Sequence, residues 1–177
     1  MSDFINLSDL LSQVNWDTIG EENTFEDLPE GYYLCEVKKA ELKENKAQTN
    51  MQASFQFSIV EDGFAESLDS KGNSVLHYIP GTKGKRIFKH YAFKTPDNVK
   101  RFANDMLKFE KPENPGESLL TVEFFMTQEV IPDALELLES MNMRIFIQAR
   151  YTEKDGKKNC WYDLISWKRA KEMGLWE

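Results

Sequence analysis

From Met51 to Ile59 the chain alternates. Met51, Ala53, Phe55, Phe57 and Ile59 fall on one face of an extended segment and Gln52, Ser54, Gln56 and Ser58 on the other, the period of two that a half-buried strand requires. One face is core; the other is uncharged and rich in hydrogen-bonding groups, as suits a sheet that accepts a ligand laid across it. Upstream, residues 32–42 read as a strand with Tyr33, Cys35 and Val37 on one face. The phase then slips toward Ala40 and Leu42, which predicts a bulge. Residues 43–50 form the loop between the two strands.

Past Val60 a polar, glycine-containing stretch runs to Asn73, followed by extended segments at 75–79 and 86–93 around Pro80-Gly81-Thr82-Lys83-Gly84. Two such segments about a Pro/Gly turn predict a hairpin. Thr95-Pro96-Asp97 places a capping hydroxyl ahead of a proline at the first helical position, where its missing donor costs nothing. Val99, Phe102, Ala103, Met106 and Leu107 then recur at helical spacing, ended by Lys111-Pro112 and Asn114-Pro115-Gly116. Residues 117–126 are ambiguous and lean to helix, with Ser118 as cap, because Leu119, Leu120, Phe124 and Phe125 lack strict alternation. A further helix is expected over 132–141 on Ala134, Leu135, Leu138 and Met141. The chain returns to strand at 143–150, turns at Asp155-Gly156, and pairs back over 159–167.

Strands, a helix and a closing hairpin define a mainly β, α+β class. The order fits an OB-like five-stranded antiparallel barrel with a helix between strands three and four, plus a helical insertion; other antiparallel α+β folds stay open. The expected organisation is an acidic arm over 1–30, an OB-like domain over 31–167 with insertions at about 62–83 and 112–142, and a tail over 168–177. A short helix is expected at residues 7–14 of the arm, opened by Asn6 or Ser8.

Charge sharpens this division. The chain of 177 residues carries a net charge of −8, yet residues 1–30 contain Asp3, Asp9, Asp17, Glu21, Glu22, Glu26, Asp27 and Glu30 with no Lys or Arg. The remainder holds 22 acidic residues against 22 basic ones. An acidic pI counts against a nucleic-acid partner only when the charge lies on the binding surface. Within the neutral body, Lys83, Lys85, Arg86, Lys89, Lys94, Lys100 and Arg101 meet only Asp97, a basic segment. No apolar run approaches the roughly 20 residues of a membrane span, and the first residues lack a secretory signal. A cytoplasmic protein without membrane association is expected. Cys35 and Cys160 have no close Cys or His neighbours and read as buried reduced thiols, with no metal.

Non-specific single-strand binding needs cations along a groove and aromatic rings on which bases stack. Lys43 and Lys46 lie in the first loop, and Lys154, Lys157 and Lys158 at the Asp-Gly hairpin, the two loops that grip ligand in this barrel class. Between them Lys85, Arg86, Phe88, Lys89, His90 and Tyr91 precede or occupy the third strand. Taken singly, each residue is more readily a solvated lysine or a core aromatic; as a set they favour binding. Arg144, Phe146, Gln148 and Arg150 form a competing surface, better read as a subunit contact or as lying beneath the 112–142 insertion. Trp161 and Trp167 share one face of the last strand, with Tyr162 opposite.

Catalysis finds no footing. Gly81-Thr82-Lys83-Gly84-Lys85 lacks the spacing and the Ser or Thr of a phosphate loop. His77 and His90 have no ligand spacing, and Glu21-Glu22 belong to the arm. No catalytic residue and no cofactor is expected.

The chain resembles a family of phage-encoded, single-stranded-DNA-binding-like proteins long catalogued as a domain of unknown function. The resemblance rests on Phe25-Glu26-Asp27-Leu28-Pro29-Glu30-Gly31-Tyr32-Tyr33, Lys39-Ala40-Glu41-Leu42-Lys43, Phe55-Gln56-Phe57-Ser58-Ile59-Val60 and Gly84-Lys85-Arg86-Ile87-Phe88. It covers roughly residues 25–110 and resumes over 137–149; the chain departs from it at 62–83 and 112–133. It implies a phage replication or recombination protein that binds single-stranded DNA in the host cytoplasm. The acidic arm is then a candidate contact for replication or recombination proteins, and self-association stays open. The alternative is a protein-interaction module that does not touch DNA.

Overall fold

The computed structural model describes residues 7–13 and 28–176. Of the acidic arm this includes a short helix α1 (Leu7–Gln13) and residues 28–30; the other expectations for the arm lie outside the described residues.

The centre of the fold is β1 (Gly31–Glu44), long enough to serve two neighbours on one edge. Its C-terminal part pairs with β2 (Met51–Ile59), from Cys35 opposite Ile59 to Glu44 opposite Met51. The register shifts between Val37 and Lys39, the bulge that the slipping phase predicts. Near its start, Tyr32 faces Phe64 of β3 (Gly63–Leu68). That approach depends on two glycines: a Cβ on Gly31 would lie 2.3 Å from the Phe64 carbonyl oxygen, and one on Gly63 would lie 2.4 Å from the Tyr33 ring. Along the opposite edge, β8 (Arg144–Lys154) pairs over residues 31–36 and continues into a hairpin with β9 (Lys157–Ile165). Asp155 and Gly156 both have positive φ, as the two-residue turn requires.

β3 pairs with β4 (Ser74–Ile79), and β5 (Arg86–Ala92) pairs with β2. The hairpin expected around Pro80 is therefore absent, because β4 and β5 belong to different partners. The polar stretch after Val60 supplies β3 instead, and the turn falls at Asp69, whose carboxylate accepts from the amides of Lys71 and Asn73. The 80–84 segment is a crossover. Asp62 accepts from the amides of Thr82 and Lys83, while the buried Thr82 hydroxyl accepts from Gly63 and donates to Ile79. The result is one seven-stranded sheet, with β9 and β5 at the ends of the β9–β8–β1–β2–β5 path. These two strands do not pair, so the sheet is not closed.

The inner face is core. Tyr33, Cys35, Val37, Phe55, Phe57, Ile59, Ile87, Ile145 and Ile147 are buried against α2 (Pro96–Met106) and α3 (Ile131–Ser140). Thr95 caps α2 reciprocally with Asn98, as the Thr-Pro signal predicts, and Phe102 meets Tyr91, Phe93 and Phe125 edge-on. α3 covers the stretch of β1 that β8 leaves, where Glu139 accepts from the Ala40 amide at 3.0 Å.

Residues 117–126 are not a helix. A small hairpin, β6 (Glu110–Lys111) and β7 (Asn114–Ser118), precedes a single 3-10 turn at Val122–Phe125, and the Ser118 hydroxyl donates to Leu107 rather than capping. The tail forms α4 (Trp167–Glu172), capped by Ser166. Trp167 thus starts a helix and does not share the last strand with Trp161.

Candidate nucleic-acid interface

The outer face of the sheet is divided in two. Over β8 and the start of β1, Tyr32, Phe146, Ile165, Ala170 and Leu175 form a second buried cluster beneath α4, with Trp167 edge-on to Phe146 at 5.5 Å. The cover over Phe146 is the tail and not the 112–142 insertion, whose helix α3 sits on the inner face. Arg144 and Arg150 flank this cover in ion pairs with Glu36 and Asp163.

Over β5 the outer face is exposed, whereas on β2 Gln52, Gln56 and Ser58 are half-buried and Ser54 is buried. Cross-strand register sets Ser58 opposite Arg86, Gln56 opposite Phe88, Ser54 opposite His90 and Gln52 opposite Ala92. Alternation turns Ile87 and Tyr91 into the core and leaves Arg86, Phe88 and His90 exposed; Phe88 retains 57% of its surface. His90 Nδ1 and the Ser54 hydroxyl are hydrogen-bonded at 2.9 Å, which fixes the imidazole on the face. Neither β2 nor β5 carries a carboxylate. On the neighbouring β1, Glu41 is paired with Lys39 and Lys43, and Glu36 with Lys38 and Arg144. The hydrogen bond from Lys38, against a smaller cost of burial, holds the Glu36 carboxyl below its usual range. Arg86 forms no ion pair among the described residues.

The expected binding residues do not form one cluster. Lys43 and Lys46 lie at the C-terminal end of β1 and in the loop after it. Lys154, Lys157 and Lys158 lie at the tip of the β8–β9 hairpin, which the register carries past the other end of β1. Lys158 sits 4.1 Å from the centre of the Tyr151 ring. Lys85, Arg86, Phe88 and His90 stay together on or beside β5. Tyr91 leaves the set: its ring is buried against Phe55 and Phe102, so no base can stack on it, and its hydroxyl donates to Asp105. Burial, with the adjacent Asp105 carboxylate, raises that phenol well above its ordinary value.

Lys89 also leaves the outer face. It turns into the gap between β5 and β9, where its ammonium donates to the Tyr162 carbonyl, and burial lowers its pKa despite Asp105 and Asp163 nearby. The gap is a cleft of about 440 Å³ whose lining includes Phe88, Arg101, Asp105, Lys108 and Trp161. Trp161, Arg101 and Lys108 were not among the expected binding residues; helix and strand lie far apart in sequence and meet only in the fold. Cys160 is half-buried in the wall of this cleft, and Cys35 is in the core, where burial pushes its thiol up.

Among the described residues, no three or more His, Cys, Asp and Glu are grouped to hold a metal ion. No helix there is long and apolar enough to cross a membrane. No protein-family model matches the chain, and no curated protein matches it.

Proposed function

We propose that this protein binds single-stranded DNA with little sequence preference, in phage replication or recombination, through an OB-like sheet. The observation that carries the reading is the outer face of β5: a half-exposed Phe88 between Arg86 and His90, opposite an uncharged, half-buried row of Gln and Ser on β2. Stacking on an exposed ring tolerates any base, and a cation beside it meets the phosphate. The path β5–β2–β1–β8–β9 with α2 between β5 and β8 supports an OB-like assignment, in which this is the ligand face. The barrel is then an incomplete one, open between β5 and β9. Lys46 in the first loop and Lys154 and Lys157 at the hairpin tip lie at opposite ends of β1.

The test is the affinity of a fluorescent deoxythymidine oligonucleotide across a salt series. Neutralising about three to five phosphates gives a log–log slope of roughly −2 to −3.5. No binding at low salt, or no salt dependence, removes the reading. A second reading, a protein-interaction module without DNA binding, is favoured by the β3–β4 hairpin, which exposes Leu68, Val75 and Tyr78 at an edge of the sheet. In that case the oligonucleotide does not bind, and substitutions at those three residues abolish association with the protein partner or with a second copy.

A further inference from the structure

The cleft between β5 and β9 has a composition that the open face lacks. The amides of Ile59 and Phe93 bond to Lys85 and Met51, so the odd-numbered residues of β5 turn to β2, and Phe88, His90 and Ala92 present their backbone groups to the gap. On the other bank, the ammoniums of Lys89 and Lys108 donate to the carbonyls of Tyr162 and Leu164. One acceptor site on each of these carbonyls is therefore occupied by an ammonium. At the floor, Asp105 accepts from Tyr91 and pairs with Lys108 at 2.8 Å. Arg101, one turn earlier on α2, lines the same space without an ion pair among the described residues. Asp163, the other carboxylate of the lining, is held by Arg150 at 2.6 Å. Cations are therefore in excess. The lining includes an exposed ring from each bank, Phe88 on β5 and Trp161 on β9, the latter 49% exposed with its indole N–H donating to the Thr152 hydroxyl of β8 at 2.7 Å.

Exposed rings in the lining, cations on the floor and strand-edge amides along the walls match a base, a phosphate and a base edge respectively. The volume is within the roughly 300–1,000 Å³ of small-molecule sites. We propose that the β5–β9 cleft holds one nucleotide of the bound strand, its base between Phe88 and Trp161 and its phosphate on Arg101, Lys108 and Lys89. This rests on the single-strand reading and adds to it a discrete anchoring slot. An anion beside Lys89 stabilises the charged ammonium that burial disfavours, so the site favours a charged ligand over a neutral one.

The experiment uses the full chain and three small probes, thymidine 5′-monophosphate, thymidine and inorganic phosphate, followed by amide and indole NMR shifts, beside the oligonucleotide assay. The monophosphate is expected to shift the Trp161 indole and Arg101 saturably and to bind at least about tenfold more tightly than either fragment. Arg101→Ala and Trp161→Ala each lose about tenfold or more, and Trp161→Phe, which keeps a ring, recovers most of the affinity. If the oligonucleotide binds normally to both alanine variants and the monophosphate shifts nothing in the cleft, the slot is wrong and the single-strand reading stands. If neither ligand binds, both fall. If the monophosphate binds in the cleft and the oligonucleotide does not bind at all, the slot stands as a free-nucleotide site and the single-strand reading falls.

Discussion

The Lys89 ammonium donates to the Tyr162 carbonyl at 2.5 Å, joining two strands that no backbone hydrogen bond joins. A barrel closing there would pair β5 with β9 along its length. Here side chains bridge the gap, Lys89 from β5 and Lys108 from beyond α2, and the space between is the cleft of about 440 Å³.

The bridge carries a cost that pH can reveal. Burial lowers the Lys89 pKa from its ordinary 10.5, so the unfolded chain holds that proton more tightly than the folded one. The penalty is in full force below the folded value and disappears as pH rises toward 10.5. Wild-type stability, measured by urea denaturation, is expected to rise relative to Lys89→Met between neutral and alkaline pH. A constant difference would show that the ammonium is fully solvated.

The core tyrosines act in the opposite sense. Burial pushes the Tyr33 phenol from 10.0 to about 12, and burial together with a hydrogen bond to Glu66 does the same for Tyr32. The neutral phenols stabilise the fold fully below about pH 10, and that contribution is lost as pH rises through about 12. Tyr33→Phe is expected to flatten the fall in stability over this window, at the expense of the hydrogen bond to the Pro29 carbonyl. An unchanged alkaline profile counts against a buried Tyr33.

Glu139 serves the backbone. Its carboxylate accepts from the Ala40 amide, beyond the point where β8 leaves β1. Glu139→Ala strands a half-buried donor and should cost about 1–3 kcal/mol in urea melts. Glu139→Gln keeps an acceptor and should cost less; equal losses from the two variants would mean that the charge, not the hydrogen bond, matters.

Thr95 and Asn98 cap α2 reciprocally. Thr95→Ala should lower stability by about 1 kcal/mol and leave oligonucleotide affinity per folded molecule unchanged. A neutral effect on melting would place the start of the helix elsewhere.

Phe88 separates binding from folding. With more than half of its surface exposed, Phe88→Ala should change stability by no more than about 0.5 kcal/mol and weaken the oligonucleotide by about 1–3 kcal/mol. Undiminished affinity would move the stacking platform off β5.

What the sequence determined by itself was local. The alternation at 51–59, the phase slip in β1, the Thr-Pro start of α2 and the Asp-Gly turn each depend on a few neighbouring residues and fixed backbone geometry. Period says which side chains share a face; it does not say what covers that face or which strand lies alongside. Only the tertiary structure decided that β4 pairs back to β3, that α4 hides Phe146 while Phe88 stays bare, and that Tyr91 and Lys89 turn inward from a strand that otherwise reads as one basic ligand surface. The same holds for the cleft. Arg101, Lys108 and Trp161 carry no shared signal along the chain, because they come together only when α2 and β9 pack on either side of an unpaired edge.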